Sequence, residues 1–591
     1  MIDTITLEVI YHRLESIADE MENALLRSSF STVVKESRDA TTAIFDIQGR
    51  TAAQACAIPV HLGTLMFSVP EILKVFPVSE MQDGDVYLAN DPYTGGTHLN
   101  DITMVVPVIY QNEVVALSCN MVHHQDIGAM SPGTPTRATS LYQEGLNLPP
   151  VKFYDAGEPV KAIHDIIRKN VRIQDIVIGD LRAQVSAANV GKHRMLELFE
   201  EYGKEVVLTA MDQLLDRAEI LTRQELKKIP DGTYTFVDYM DNDGIEVDKP
   251  IRIQVAVTIR DSDFIVDFTG TSAQVKGPFN CVPSAAYAVA CYAVKAITGG
   301  SSIPNNNGCF RPISLILPEG SIVNPYPPAA CGARTLTILR MTDALLGALV
   351  KAVPHRLLAC SSGVMTSAHF GGTDPLKGEF VTCALDAGGQ GARSNKDGVD
   401  AIHTDMCVLM NVPAEYMEKD FPIRILRNNL RNGSAGAGEY RGGLGLDKVF
   451  EITRGEVSTS CRIERHYSQP WGIFGGLPGS KGAAWVIRQT GEKEEFTKRD
   501  MTLYQGDQLY ILAPGGGGYG DPLKRQPELV LKDALDRRIS LEAAAEDYGV
   551  VINRESMALD LEKTTQLREE KAKQRGPITW TYDRGPDWGR E

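Results

Sequence analysis

The stretch "DITMVVPVIYQNEVVALSCNMVHH" (residues 101–124) decides how this chain is read. Two apolar runs, 102–110 and 114–122, flank the polar link Gln111-Asn112-Glu113. Runs of that length around so short a link predict a β-hairpin. In an antiparallel pair turning there, partnered residue numbers sum to about 223–224, which sets Asp101 opposite Val122 or His123. Cross-strand partners have Cβ atoms about 5 Å apart. Asp101 and His123, distant in the chain, thus become neighbours at the open end of the hairpin. Successive strand residues face opposite sides. His123 therefore shares a face with Val115, Leu117, Cys119 and Met121, and His124 looks the other way. A register slip of one residue would exchange them.

Immediately upstream runs "NDPYTGGTHLNDITMVV" (90–106), with His98-x-x-Asp101 at the end of a Gly-containing loop that can fold back over the same hairpin end. His98, Asp101 and His123 together make a candidate site for a divalent metal. Two imidazoles and one carboxylate leave open positions for water or substrate, as catalytic centres need. A metal held there would lower the pKa of water toward neutrality. Two other readings stay open at this point. His124 with Asp126 could be a general base and the group that orients it. Or the histidines could be hydrogen-bonded structural residues at a polar strand end.

At 591 residues the chain exceeds one ordinary core and implies several domains. A hydrophobic share of 43% and a charged share of 23% suit a globular enzyme. The formal net charge of −16 opposes binding to nucleic acid or to an anionic membrane. The start, MIDTITLEVIYHRLESIADEM, carries acids where a signal peptide would carry an apolar core, and no apolar run approaches membrane-spanning length. A cytoplasmic protein is expected. The 10 cysteines occur singly with no CxxC pair, which predicts reduced, mostly buried thiols and no zinc knuckle.

The pattern along the chain predicts an α+β fold, large and multidomain, with β-hairpins and sheets, helical segments and a Gly-rich β-region near the C-terminus. Residues 5–28 carry Ile10, Leu14, Ile17, Met21 and Leu25 at helical spacing. Four regions follow: 1–230, a metal-site domain with a helical second half; 231–422, a central α+β domain; 423–525, the Gly-rich β-region; and 526–591, a peripheral helical tail. "APGGGGYGDP" (513–522) lacks the Lys-Ser/Thr of a phosphate loop and opens no helix, and "GAGEYRGGLG" (436–445) has no strand–GxGxxG–helix context. Both are read as structural turns, so nothing legible here binds ATP.

Several blocks in fixed order resemble the hydantoinase B / 5-oxoprolinase family: ESRDATTAIFD (36–46), PVHLGT (59–64), NDPYTGGTHLNDI (90–102), MVHHQDIG (121–128), YQEGLNLPP (142–150), RPISLILPEGSIVNPYPPAACGART (311–335), GEYRGGLG (438–445), PWGIFGGLPG (470–479) and APGGGGYGDP. The resemblance implies a beta-type subunit of an ATP-dependent cyclic amide hydrolase, of the caprolactamase or N-methylhydantoinase type. It implies a hydantoinase A-type partner that binds ATP and Mg, an α2β2 assembly, and a small cyclic amide substrate. A fused 5-oxoprolinase would carry both halves in roughly twice this length, so a separate partner is expected. Carboxylase relatives use a manganese-type site whose His-x-x-Asp and later His correspond here to His98, Asp101 and His123; Zn or Mn is the expected ion. His124, Asp126 and Glu144 are the candidates for moving the proton. Glu36, Asp39 and His61 lie in matching blocks and are candidate lining residues. The rival readings are a subunit of an ATP-dependent acetone or acetophenone carboxylase, and a non-catalytic scaffold.

Overall fold

The computed structural model describes residues 2–299 and 303–591. Its first sheet has strands β1 (Ala40–Phe45), β2 (Thr51–Gln54), β3 (Val86–Ala89), β4 (Asp101–Tyr110), β5 (Glu113–His123), β6 (Val151–Asp155) and β7 (Glu158–Pro159). They lie in the order β2-β1-β5-β4-β3-β6-β7, with antiparallel neighbours. The predicted hairpin is its centre. Asp101 pairs with His123 and Val108 with Ala116, and the register shifts once, after Val108. That slip lets a two-residue turn close the hairpin, with Gln111 and Asn112 at φ of 53° and 63°.

β4 and β5 are apolar on both faces because both faces are covered. Val105, Leu117, Cys119 and Met121 pack with Leu65, Val69 and Ile72 of helix α2 (Pro59–Val75), which follows helix α1 (Thr4–Ser28) in the chain. Met104 and Val106 pack instead with Ile178 and Leu181 of helix α3 (Gln174–Tyr202). Asp3 caps α1 by accepting from the backbone N–H groups of Ile5 and Thr6, and its predicted stripe Ile10, Leu14, Ile17, Met21 and Leu25 is buried. Helix α4 (Lys204–Leu226) completes this half.

A second sheet, ordered 313–316, 263–267, 251–260, 232–240, packs with helices α5 (Pro283–Thr298) and α6 (Thr335–Leu349) in one large core. Farther on, a four-stranded sheet (366–374, 378–386, 456–462, 499–504) and a five-stranded sheet (423–430, 446–452, 483–487, 493–495, 508–512) bury Phe370, Val457, Phe450 and Ile511 between them. The mixed, several-sheet architecture is the α+β fold expected.

Two readings need correction. The Gly-rich segments are not simple turns. Residues 515–518 run buried through the molecule between backbone segments near 360, 390, 440 and 475. Gly516 N–H donates to Gly443 O, Gly517 N–H to Cys360 O, and Gly518 N–H to Leu477 O. A Cβ on Gly517 would stand 2.1 Å from Trp471 O, so only glycine admits the neighbouring backbone. The C-terminal segment is also less peripheral than a helical tail. Helices occupy Pro527–Leu535, Leu541–Glu546 and Leu561–Arg575, but Tyr582–Asp583 pairs with Gly472–Ile473. Tyr582 is buried, edge-on to Phe236 and Trp471, because three aromatic rings gain more from mutual burial than from water. Among the described residues, no helix is long and apolar enough to cross a membrane. All 10 cysteines are free and only Cys56 is exposed.

Candidate metal centre

Asp101 opens β4 and His123 closes β5, so the hairpin register alone sets them side by side. The preceding turn brings His98 to the same point: Asp101 N–H donates to His98 O at 3.1 Å. His98 Nε2 lies 2.9 Å from Asp101 Oδ1 and 3.1 Å from His123 Nδ1, and His123 Nδ1 is 3.1 Å from Asp101 Oδ1. The three candidate ligand atoms fall within 4.8 Å of one another.

The surrounding hydrogen bonds suit a bound cation. His98 Nδ1 faces Gly332 O at 3.1 Å, and a carbonyl only accepts, so Nδ1 carries the proton. Burial and the nearby Arg334 push the His98 pKa down to about 3, so the ring is neutral. Its Nε2 is therefore a bare lone pair aimed at a carboxylate oxygen and a second imidazole nitrogen. Burial works against the charge of Asp101, but His98, His61 and Arg334 hold its carboxyl well below the usual range. The His98 lone pair, a carboxylate oxygen and His123 Nδ1 converge on one point, where a divalent ion could be held. An imidazole whose far nitrogen donates to a backbone carbonyl is the usual support of a metal ligand. The donor set fits a borderline ion such as Zn or Mn.

Other groups complete the pocket. Arg334, just before α6, donates from Nη2 to Asp101 Oδ2 at 2.6 Å, and Thr97 Oγ1 donates to the same oxygen at 2.6 Å. His61, in the first turn of α2, faces the sheet side that carries His123. Its Nε2 is 3.4 Å from Asp101 Oδ1 and 3.7 Å from Asp39 Oδ1. Burial disfavours its charge, yet Asp101 and Asp39 raise its pKa above the ordinary value. Asp39, His61, Arg334, His369 and Arg462 line, with His98 and His123, a cavity of about 30 Å³. That holds an ion with a water, and the cavity is partly open to the outside.

The expected proton-transfer residues sit elsewhere. His124 is fully buried on the opposite strand face, with Nε2 2.9 Å from Gln184 Oε1. Its backbone stitches the site's turn to the hairpin: His124 N–H donates to Asn100 O, and Asn100 Nδ2 donates to His124 O, each at 2.8 Å. Asp126 accepts from Arg172 Nη1 at 2.9 Å and from Gly128 N–H at 3.2 Å, a loop-fixing role. Glu144 accepts from Gly332 N–H at 2.6 Å and Cys331 N–H at 2.9 Å, so it holds the loop whose carbonyl orients His98. Burial pushes its pKa up to about 8 against those donors. Of the lining candidates, Asp39 and His61 reach the cavity, while Glu36 is half-buried outside it at the end of the Thr32–Lys35 turn of helix. Sequence reading assigned no role to Arg334, His369 or Arg462. They come from 233 or more residues beyond Asp101, and no local spacing marks them.

The chain is similar to a putative D-/L-hydantoinase subunit from a Pseudomonas strain, 34% identical over 587 residues that cover 96% of this chain and 98% of that one. Its structure is similar to the crystal structure of ATP-dependent caprolactamase from Pseudomonas jessenii, with a TM-score of 0.89 and 29% identity, covering 96% of this chain and 100% of the other. A nucleotide-free acetone carboxylase structure shares the fold at a TM-score of 0.89 and 18% identity, over 98% of this chain and 84% of that one. With residues 3–522 matching the model of Hydantoinase B/oxoprolinase, the chain belongs to that family.

Proposed function

We propose that this chain is a subunit of an ATP-dependent cyclic amide hydrolase that opens a lactam- or hydantoin-type ring. A hydantoinase A-type partner, in an α2β2 assembly, binds ATP and Mg and phosphorylates the amide oxygen. The observation that carries the reading is the convergence of His98 Nε2, Asp101 Oδ1 and His123 Nδ1 on one buried point. Similarity to a protein named as a hydantoinase subunit and to a structure of caprolactamase supports the substrate class.

An amide resists water at neutral pH because its carbonyl carbon is weakly electrophilic. Phosphorylating the oxygen gives an imidate phosphate with a good leaving group. His98, Asp101 and His123 would hold a divalent ion, which would lower the pKa of water toward neutrality. His61 Nε2 accepts the proton of the attacking water, and the Asp39 carboxylate, 3.7 Å away, favours its charged form. Arg334 keeps Asp101 ionised and oriented. Thr97 and Glu144 fix the turn and the loop on either side. The tetrahedral adduct expels the ring nitrogen, which takes a proton as the C–N bond breaks, and the acyl phosphate left behind is hydrolysed by a second water to the carboxylate and free phosphate.

The test is metal analysis and ring opening with the co-expressed partner, using caprolactam, 5-oxoproline and hydantoins with ATP. Asp101→Ala loses the metal, and turnover falls by at least about 100-fold. His61→Asn keeps the metal and loses turnover. Unchanged metal content and turnover in Asp101→Ala would sink the reading, and bicarbonate-dependent consumption of a ketone would replace it with carboxylation. Full turnover in His61→Asn would move the proton-transfer role to another residue.

A further inference from the structure

Among the described residues, seven arginines are buried: Arg334, Arg340, Arg441, Arg462, Arg465, Arg525 and Arg584. Six of them reach a carboxylate. Arg334 pairs with Asp101, Arg340 with Asp238, Arg441 with Asp400, Arg465 with Asp343, Arg525 with Asp397, and Arg584 with Glu591. Arg462 is the exception: among the described residues no carboxylate lies within ion-pair distance of it. It stands at the end of the strand Glu456–Arg462, only 3% exposed, and it lines the metal cavity.

The side-chain hydrogen bond it makes is to a neutral group. Arg462 Nη2 donates to His369 Nε2 on the neighbouring strand, and burial together with Arg462 itself keeps that imidazole uncharged. Arg462 Nε is buried without any partner among the described residues. The nearby thiols do not answer the charge either. Burial raises Cys383, Cys407 and Cys461 to about 12, so all three are neutral at physiological pH. Burial also draws Arg462 down to about 10, which leaves it cationic. Asp39 shares the cavity, but among the described residues its ion-pair contact is with His61 Nε2, at 3.7 Å, and not with Arg462. A buried guanidinium without a counter-anion is costly.

We propose that Arg462 is the oxyanion-recognising residue of this cavity, and that its ligand is a phosphate group. The fork of N–H donors matches phosphoryl oxygens in a way that a point charge does not. Arg462 faces the same space as the candidate metal ligands, so a phosphorylated substrate would place its phosphate on Arg462 and its reacting carbon toward the triad. The inference deepens the hydrolase reading and rests on it for the identity of the phosphoester. Phosphate binding itself is independent of turnover.

The test uses the full chain with its metal and inorganic phosphate as the probe. Phosphate raises the thermal midpoint of the wild type in a concentration-dependent way. Arg462→Met loses that shift and weakens phosphate binding by at least about tenfold in titration calorimetry, while metal content stays at the wild-type level. Arg462→Lys, which keeps the charge and loses the fork, falls between the two. In phosphate-free buffer Arg462→Met is at least as stable as the wild type, because it removes a buried charge. An equal phosphate shift in wild type and Arg462→Met overturns the proposal. So does a loss of stability in Arg462→Met without phosphate, which would make the arginine a structural partner of His369. Phosphate binding through Arg462 in a chain that opens no cyclic amide with its partner would leave this assignment standing and overturn the hydrolase reading alone.

Discussion

At the residue scale, the site is governed by who may donate to whom. Gly332 O can only accept, so it fixes the tautomer of His98, and Glu144 fixes Gly332. Glu144 carries a pH dependence that can be measured. Its folded pKa, near 8, lies above its ordinary value of 4.5. A raised folded value means that the contribution to stability is complete below about pH 4.5 and is lost as pH rises toward 8. Glu144→Gln is uncharged throughout, so its thermal midpoint gains on the wild type between pH 5 and 8. The difference changes by at most about 1.4 kcal/mol per pH unit. A constant difference across that range would show that Glu144 is ionised in the fold and that its two backbone donors outweigh burial.

At the element scale, the hairpin and the glycine bundle work by opposite means. The hairpin positions Asp101 and His123 through side-chain burial on both faces, which pins the register. The glycine bundle positions nothing by side chains: backbone meets backbone, and the N–H groups of Gly516, Gly517 and Gly518 reach three different segments. Gly517→Ala would place a methyl group 2.1 Å from Trp471 O. Overpacking of this kind costs about 1–3 kcal/mol or more, and the rigid neighbour here is main chain, so the upper end is expected. Chemical denaturation of the purified variant measures it. A loss under about 0.5 kcal/mol, the range of ordinary surface changes, would mean that the bundle is loose.

At the scale of the whole molecule, distant parts close on shared centres. The cavity draws on α2, the first hairpin, the turn before α6, and strands beyond residue 366. The C-terminal segment closes on the large central core, where Tyr582 donates to Gly347 O at 2.6 Å and packs on Phe236 and Trp471. Tyr582→Ala therefore costs about 3–5 kcal/mol and lowers the unfolding midpoint of the entire chain, not of the last residues alone. Local proteolysis of the C-terminal helices with an unchanged global midpoint would contradict this. The sequence by itself determined what depends on short range: the helical stripe of α1, the apolar runs of β4 and β5, their turn, and thereby the meeting of His98, Asp101 and His123. Periodicity and turn chemistry act over a few residues, and a hairpin converts them directly into contact. It also carried the family's blocks, and with them Asp39 and His61. Only the tertiary structure decided that His124 and Asp126 bond to Gln184 and Arg172 away from the cavity, that Glu144 bonds the loop beside His98, and that Arg334, His369 and Arg462 share the cavity. Those roles depend on which buried donor meets which acceptor across hundreds of residues. No local pattern encodes that, because the partners are chosen by packing and not by spacing.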